Sequence, residues 1–242
     1  MTGKRLFIDT SKCQACKACQ AACQQWHSLE AEDTTFTGSY TNPPDMSGAN
    51  LTVVKFTETE ADGKVKWLFF KDGCRHCNAP TCKVACPLVP KAIKRQANGV
   101  VRIDPALCKP DVCSANAIKP CQTACPFKSI SDGVIGIPKR EYVKDGSPEL
   151  TVMRKCDLCY DRFSNSALKA QNRRPACQAA CPPGAISFGD ADPILAEAIN
   201  RVNYLRTHGW PNAKIYPGQS GDDATHVIWV LTQNESRYGQ ED

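Results

Sequence analysis

Long apolar runs are missing from this chain of 242 residues. The longest, Val227–Leu231, falls far short of the ~20 residues that a membrane-spanning helix needs. The opening Met1-Thr2-Gly3-Lys4-Arg5-Leu6 lacks the apolar core of a secretory signal. There is no G-x-G-x-x-G run to cradle a dinucleotide and no Walker loop, so neither NAD nor flavin is expected. No block of five or more like charges occurs, which argues against nucleic acid as a partner. Apolar residues make up 42% even with cysteine counted, so an apolar core alone would be modest for this length.

What the chain has instead is cysteine: 16 residues in four groups of four. The groups are Cys13, Cys16, Cys19, Cys23; Cys74, Cys77, Cys82, Cys86; Cys108, Cys113, Cys121, Cys125; and Cys156, Cys159, Cys177, Cys181. The last two cysteines of every group are spaced C-x3-C, and the first group reads C-x2-C-x2-C-x3-C, the bacterial ferredoxin run for [4Fe–4S] ligation. A disulfide framework belongs to short secreted scaffolds, and cysteines this close on one tight loop are badly placed to pair with each other. Structural zinc is the stronger rival, but it usually joins two C-x2-C pairs, whereas here three cysteines are packed together and a fourth follows. Pro87, Pro126 and Pro182 each follow the last cysteine of a group, as in the ferredoxin run. Cys23 is instead followed by Gln24, which predicts a helix continuing to Trp26. The C-x3-C-x2-C run of radical enzymes is absent, since Lys128 and Gly184 stand where its third cysteine would be. Direct catalysis is not expected.

Charge follows the same logic. The formal net charge is +5, but a [4Fe–4S] core with four thiolates carries roughly 2−, so four of them bring the loaded chain to about −3. Lys12, Lys17, Arg75, Lys83, Lys109 and Lys155, all close in sequence to cysteines, are expected to offset that charge.

Short apolar stretches lead into each group: Leu6–Asp9, Trp67–Phe70, Val100–Asp104 and Leu150–Met153. Ala92–Arg95 and Val100–Ile103 read as a hairpin across Asn98-Gly99, and Ile130–Ile137 repeats the idea around Asp132-Gly133. The predicted fold is α+β, two ferredoxin-like double-cluster lobes with a long insert and a C-terminal helix. Residues 1–69 with 148–190 form an outer lobe carrying the insert 24–66; 70–147 form an inserted lobe; 191–242 form an extension. The insert holds a turn at Asn42-Pro43-Pro44-Asp45 and a hairpin, Leu51–Phe56 with Val65–Phe70, turning at Asp62-Gly63. Residues 191–208 read as a helix with Asp192 as N-cap, an apolar side including Ile194, Leu195, Ala198, Ile199, Val202 and Leu205, and Gly209 as its stop. His226–Leu231 reads as a further strand, and Tyr160–Ala176 as a surface excursion.

In two-cluster ferredoxins the fourth cysteine of one run serves the other cluster. Applied here, Cys74, Cys77 and Cys82 take Cys125, and Cys108, Cys113 and Cys121 take Cys86. Cys13, Cys16 and Cys19 take Cys181, and Cys156, Cys159 and Cys177 take Cys23. Spacing allows this pairing without proving it. His76, Trp26, His27 and Trp67 are read as covering or packing residues, with His76 hydrogen-bonding its cluster.

The stretches Cys13–Gln20, Gly73–Cys77 and Lys155–Arg162 resemble the four-cluster iron–sulphur subunits of molybdenum and tungsten oxidoreductases. Gln24–His27, Asn42–Asp45 and Lys66–Phe70 are most similar to the formate dehydrogenase beta type. The resemblance implies the cross-paired ligation above and four [4Fe–4S] clusters. It also implies a large catalytic partner holding a molybdenum or tungsten pterin, joined as a heterodimer in anaerobic respiration. Formate would be oxidised to CO2 there, with Cys13, Cys16, Cys19 and Cys181 nearest that subunit. The same relay attached to a polysulfide, thiosulfate or dimethyl sulfoxide reductase, and a zinc-bound structural module, stand as alternatives. Membrane-bound relatives end in a transmembrane helix that this sequence does not show. The expected acceptor is therefore a cytochrome c, a ferredoxin or another redox protein. Relatives of this kind are exported folded beside a signal-bearing partner, which points to the periplasm, with the cytoplasm as the alternative.

Overall fold

The computed structural model describes residues 2–29, 31–61, 63–115, 118–127, 152–165, 174–219 and 221–240. It is a mixed α+β structure with small sheets. The largest sheet has the order β6-β1-β8-β7, built from β1 (Lys4–Asp9), β6 (Ile186–Asp190), β7 (Lys214–Tyr216) and β8 (Val227–Leu231). β1 pairs antiparallel with β6 and parallel with β8. The longest apolar run of the chain is thus an inner strand. Alternate side chains of a strand face opposite sides, and β8 is apolar at every position because both of its faces are covered. On one face Leu6, Ile8, Trp229 and Leu231 join a core with Phe70 and Tyr238. On the other, Phe7, Ile228 and Val230 meet the helix Ala191–Thr207.

That helix departs from expectation at two points. Its N-cap is Asp190, because β6 stays paired with β1 through Lys4↔Asp190, and the Ala191 N–H then donates to the Gly3 carbonyl at 2.9 Å. The Asp190 carboxylate pairs with Lys4 Nζ at 2.8 Å instead of capping. Ile199 is 45% exposed: Ile194, Ala198, Val202 and Leu205 already cover the sheet, and Ile199 lies beside that stripe. Arg201 Nε donates to Asp9 at 2.7 Å and ties the helix to the end of β1.

The predicted insert hairpin is present and longer than expected, β2 (Thr52–Ala61) with β3 (Lys64–Gly73), paired from Thr52↔Gly73 to Ala61↔Lys64. Phe56, Trp67 and Phe69 of the hairpin and Tyr40 from the segment before it form a circuit of ring contacts, and Trp67 is half exposed rather than an interior packing residue. The hairpin across Asn98-Gly99 is β4 (Ile93–Arg95) with β5 (Val101–Ile103). Gly99 sits at φ +85°, where an added Cβ would fall 2.0 Å from the His226 ring. The Lys4 N–H donates to the Asn98 carbonyl at 2.9 Å, so this turn is locked against the large sheet. Val152 and Met153 form no strand; the Met153 N–H is spent on Cys108 Sγ at 3.3 Å. The expected repeat Ile130–Ile137, with Leu150 and Thr151, lies outside the described residues, as does 166–173 of the Tyr160–Ala176 excursion. Among the described residues no helix is long and apolar enough to cross a membrane.

Candidate functional site

Three of the four cysteine groups begin with the same backbone device. Ala15, His76 and Leu158, each just before the second cysteine of a C-x2-C, have φ of 51°, 51° and 57°. This left-handed region costs a non-glycine residue roughly 1 kcal/mol. It turns the N–H of that residue back onto the preceding cysteine: Ala15 onto Cys13, His76 onto Cys74 at 3.4 Å, Leu158 onto Cys156 at 3.4 Å. Successive N–H groups curled in this way form an anion-binding concavity of the kind seen at Fe–S sites. Further N–H groups reach sulphur from Ala176 to Cys159 at 3.4 Å and from Ala185 to Cys181 at 3.3 Å. The strain is therefore placed where thiolates must be held. The third group, with its longer spacing, takes its N–H from Met153 to Cys108 instead.

No disulfide joins any of the sixteen cysteines, and the fold sorts them into four sets that cut across the sequence groups. Cys13 neighbours Cys16 and Cys181, and these three line one cavity with Cys19. Cys159 neighbours Cys23, Cys156 and Cys177. Cys77 neighbours Cys74, Cys82 and Cys125. Cys86, Cys108, Cys113 and Cys121 line another cavity. These are the Cys13, Cys156, Cys74 and Cys108 sets. They adjoin one another in an order the sequence does not follow. Cys19 lies by Cys177, Cys156 by Cys74, and Cys121 by Cys82. The first and last groups in the chain are thus spatial neighbours, and the last group leads on to the second.

Burial, then the neighbouring thiols, pushes Cys19, Cys77, Cys121 and Cys156 up to about 12, and Cys23 and Cys159 upward as well. Thiols so placed do not ionise against each other at neutral pH. A bound metal that replaces the protons is what makes four buried sulphurs compatible, and its binding releases those protons. Soft thiolate sets of four suit iron–sulphur clusters or zinc; the N–H donors aimed at sulphur fit a cluster, whose properties depend on such hydrogen bonds.

The basic residues sort differently from expectation. Of the six expected to offset cluster charge, Lys155 is buried near Cys74, Cys82 and Cys156, and Arg75 is buried near Cys125. Arg75 is, however, bonded to Asp72, with its guanidinium 4.7 Å from the Trp229 ring. Lys17 donates to the carbonyls of Tyr40 at 2.7 Å and Asn42 at 3.1 Å, pinning the insert. Lys83 and Lys109 are exposed, and Lys12 stands 4.0 Å from Asp9. The cation that local pattern missed is Lys71, at the end of β3. It is 5% exposed and lies beside Cys177, Cys19, Cys156 and Cys23. Burial works to lower its amine, and the sulphurs outweigh burial and raise it. Lys155 follows the same pattern.

The histidines also shift roles. The His76 ring is fully buried and accepts the Val101 N–H at Nδ1 (3.0 Å); the backbone of His76, not its ring, bonds the cysteine. His27, expected to pack, brings Nε2 to 3.9 Å from Cys159 Sγ and 3.5 Å from Asp157. These three groups converge closely enough to hold an ion, but Cys159 already belongs to a four-thiol set, which leaves His27 as a hydrogen-bonding neighbour of that sulphur.

Comparison with known proteins agrees with this geometry. The family described as "4Fe-4S dicluster domain" matches residues 65–191. The iron-sulfur subunit of the nitrate-inducible formate dehydrogenase of Escherichia coli is 39% identical over 93% of this chain and 67% of its own length. The beta subunit of the formate dehydrogenase of Megalodesulfovibrio gigas is 34% identical over 97% of this chain and 96% of its own length. The beta subunit of formate dehydrogenase 2 (cytochrome c-553) of Nitratidesulfovibrio vulgaris is 35% identical with the same coverage. With a matched 4Fe-4S domain and relatives this similar along most of its length, the chain belongs to the electron-transferring iron–sulphur subunits of formate dehydrogenases.

Proposed function

We propose that this chain holds four [4Fe–4S] clusters, one in each four-thiol set, and relays electrons from a formate-oxidising catalytic subunit with a molybdenum or tungsten pterin to an external redox protein. The observation that carries the reading is the continuous adjacency of the sets, Cys13 to Cys156 to Cys74 to Cys108, through Cys19–Cys177, Cys156–Cys74 and Cys82–Cys121. A cluster supplies a one-electron carrier. The chain's own residues keep the carriers apart, aim N–H groups at their sulphurs and exclude water around Cys23, Cys121, Cys159 and Cys177. Two features support a pair of ferredoxin-like lobes. β1 with β6 joins the first and last cysteine groups, and β4 with β5 stands between the second and third.

The names of the relatives favour formate as the electron source and, for one, a cytochrome c as the acceptor. A second reading, the same relay in another oxidoreductase, is favoured by a sulfite dehydrogenase subunit of Allochromatium vinosum, 30% identical over 78% of this chain. Purification with native partners distinguishes the two: formate should bleach the visible absorption of the complex, and failure with the pterin subunit present overturns formate. A colourless protein overturns the clusters themselves in favour of zinc. Iron should be about sixteen atoms per chain, and Cys13→Ala should remove or convert one cluster; unchanged iron sinks the ligand assignment. Placement in the periplasm, by co-export with the catalytic subunit, is proposed on the same footing, and fractionation of the native host tests it against the cytoplasm.

A further inference from the structure

Two buried amines stand at the joints of the row. Lys71 is 5% exposed and Lys155 is 7% exposed, a rare condition for lysine. Lys71 Nζ donates to Thr52 Oγ1 at 2.9 Å, and its backbone carbonyl is held by Trp229 Nε1 at 3.1 Å. Lys155 Nζ donates to the carbonyls of Val101 and Cys156. Among the described residues neither amine has a carboxylate ion-pair partner, and Asp72, next in sequence to Lys71, is engaged by Arg75 and Lys55. The negative groups facing these amines are sulphurs, and in both cases they come from two sets. Lys71 lines the cavity of the Cys13 set and also lies by Cys23, Cys156 and Cys177. Lys155 lies by Cys74 and Cys82 on one side and Cys156 on the other. The third joint, between Cys82 and Cys121, is built differently. The nearby Lys119 is only half buried, donates to the Ser114 carbonyl at 2.9 Å and lies by Cys113.

Resting on the four-cluster reading above, we propose that Lys71 and Lys155 are shared positioning charges of the relay, each raising the reduction potentials of the two clusters it lies between. A fixed cation favours the state with the extra electron, and in a buried site water and salt screen it little. Because each cation is shared, it also eases the repulsion between electrons on adjacent clusters. The cluster of the Cys156 set feels both amines, and that of the Cys108 set feels neither.

The test is a redox titration of the complex of this chain with its catalytic partner, followed by electron paramagnetic resonance, in wild type, K71Q, K71R and K155Q. In K71Q two of the four transitions should move to lower potential while two stay, and K71R should return them toward wild type. K155Q should also move two, sharing one with K71Q. A K71Q complex with full iron and four unmoved transitions overturns the proposal. If K71Q fails to assemble, K155Q decides in its place: two lowered transitions uphold the proposal and unmoved potentials overturn it. A wild-type complex without four clusters overturns the underlying reading instead, so the two failures are told apart.

Discussion

The large sheet and the thiol-rich hairpin region are held together by different means. Around β1 and β8 one face is wholly apolar and sealed by a helix of four to five turns, while the other stacks Trp229 on Phe70 at 5.0 Å in a core that also takes in Cys19 and Cys177. Around β4 and β5 the strands have three residues each, and the core alternates carbon with sulphur: Cys86, Cys108 and Cys121 beside Ala92, Ile93, Val101, Val152 and Met153. The first region has a helix-covered apolar face that favours folding without ligands. The second has only short elements among the described residues, and ligation energy is expected to contribute more to its folding.

Anaerobic chelation of iron should break the comparison most visibly. Amide exchange is expected to lose protection across residues 80–127, while β1 and β8 keep most of theirs; equal loss in both would show that the sheet, too, depends on clusters. Core truncation comes next. Trp229→Ala should cost ~3–5 kcal/mol, read as a lower denaturation midpoint with iron content retained. Ile93→Ala, at ~2–5 kcal/mol, should instead lower the iron content, because its neighbours are Cys86, Cys108 and Cys121. Identical behaviour of the two variants would erase the distinction. At the seam between the regions, Gly99→Ala would meet the His226 ring at a left-handed φ, and ~1–3 kcal/mol of strain should appear as faster exchange in β4 and β5.

The smallest effect concerns His226 itself. Burial, chiefly, lowers its pKa; Nδ1 lies 2.7 Å from the Lys4 carbonyl, and Nε2 faces Arg95 at 3.4 Å. The folded chain therefore prefers the neutral ring, and the unfolded chain binds the extra proton below about pH 6.5. This contribution is present above that pH and is lost progressively below it. A His226→Gln chain should lose less stability between pH 7 and pH 5 than wild type; an equal loss would remove His226 from the account.

Much of this was legible in sequence where the signal is local. The Asn98-Gly99 turn, the helix beginning near Ala191, the strand at Val227 and the continuation of the first helix to Trp26 all follow from residues within a few positions of one another. What spacing could not reveal lies across the fold. That β8 runs parallel to β1, with β6 on the other side, has no local marker. Lys71 ends an apolar strand, where a lysine ordinarily extends its charge into water. Only the arrival of four sulphurs from Cys19 to Cys177 makes it an interior cation. Arg75, next to Cys74 in sequence, is answered by Asp72 and lies instead by Cys125, 50 residues on.

The pairing of β1 also sets a timetable. It is synthesised well before either of its two neighbours, β6, at Ile186–Asp190, and β8, at Val227–Leu231. At roughly 5–20 residues per second, the strand waits on the order of ten to forty seconds with both edges unpaired. Unpaired strand edges and exposed apolar residues are what aggregate during synthesis. Leu6, Phe7 and Ile8, buried in the finished chain, are thus exposed to association while it is being made. A chaperone bound to this segment until residue 231 has emerged would guard the step on which closure of the sheet depends.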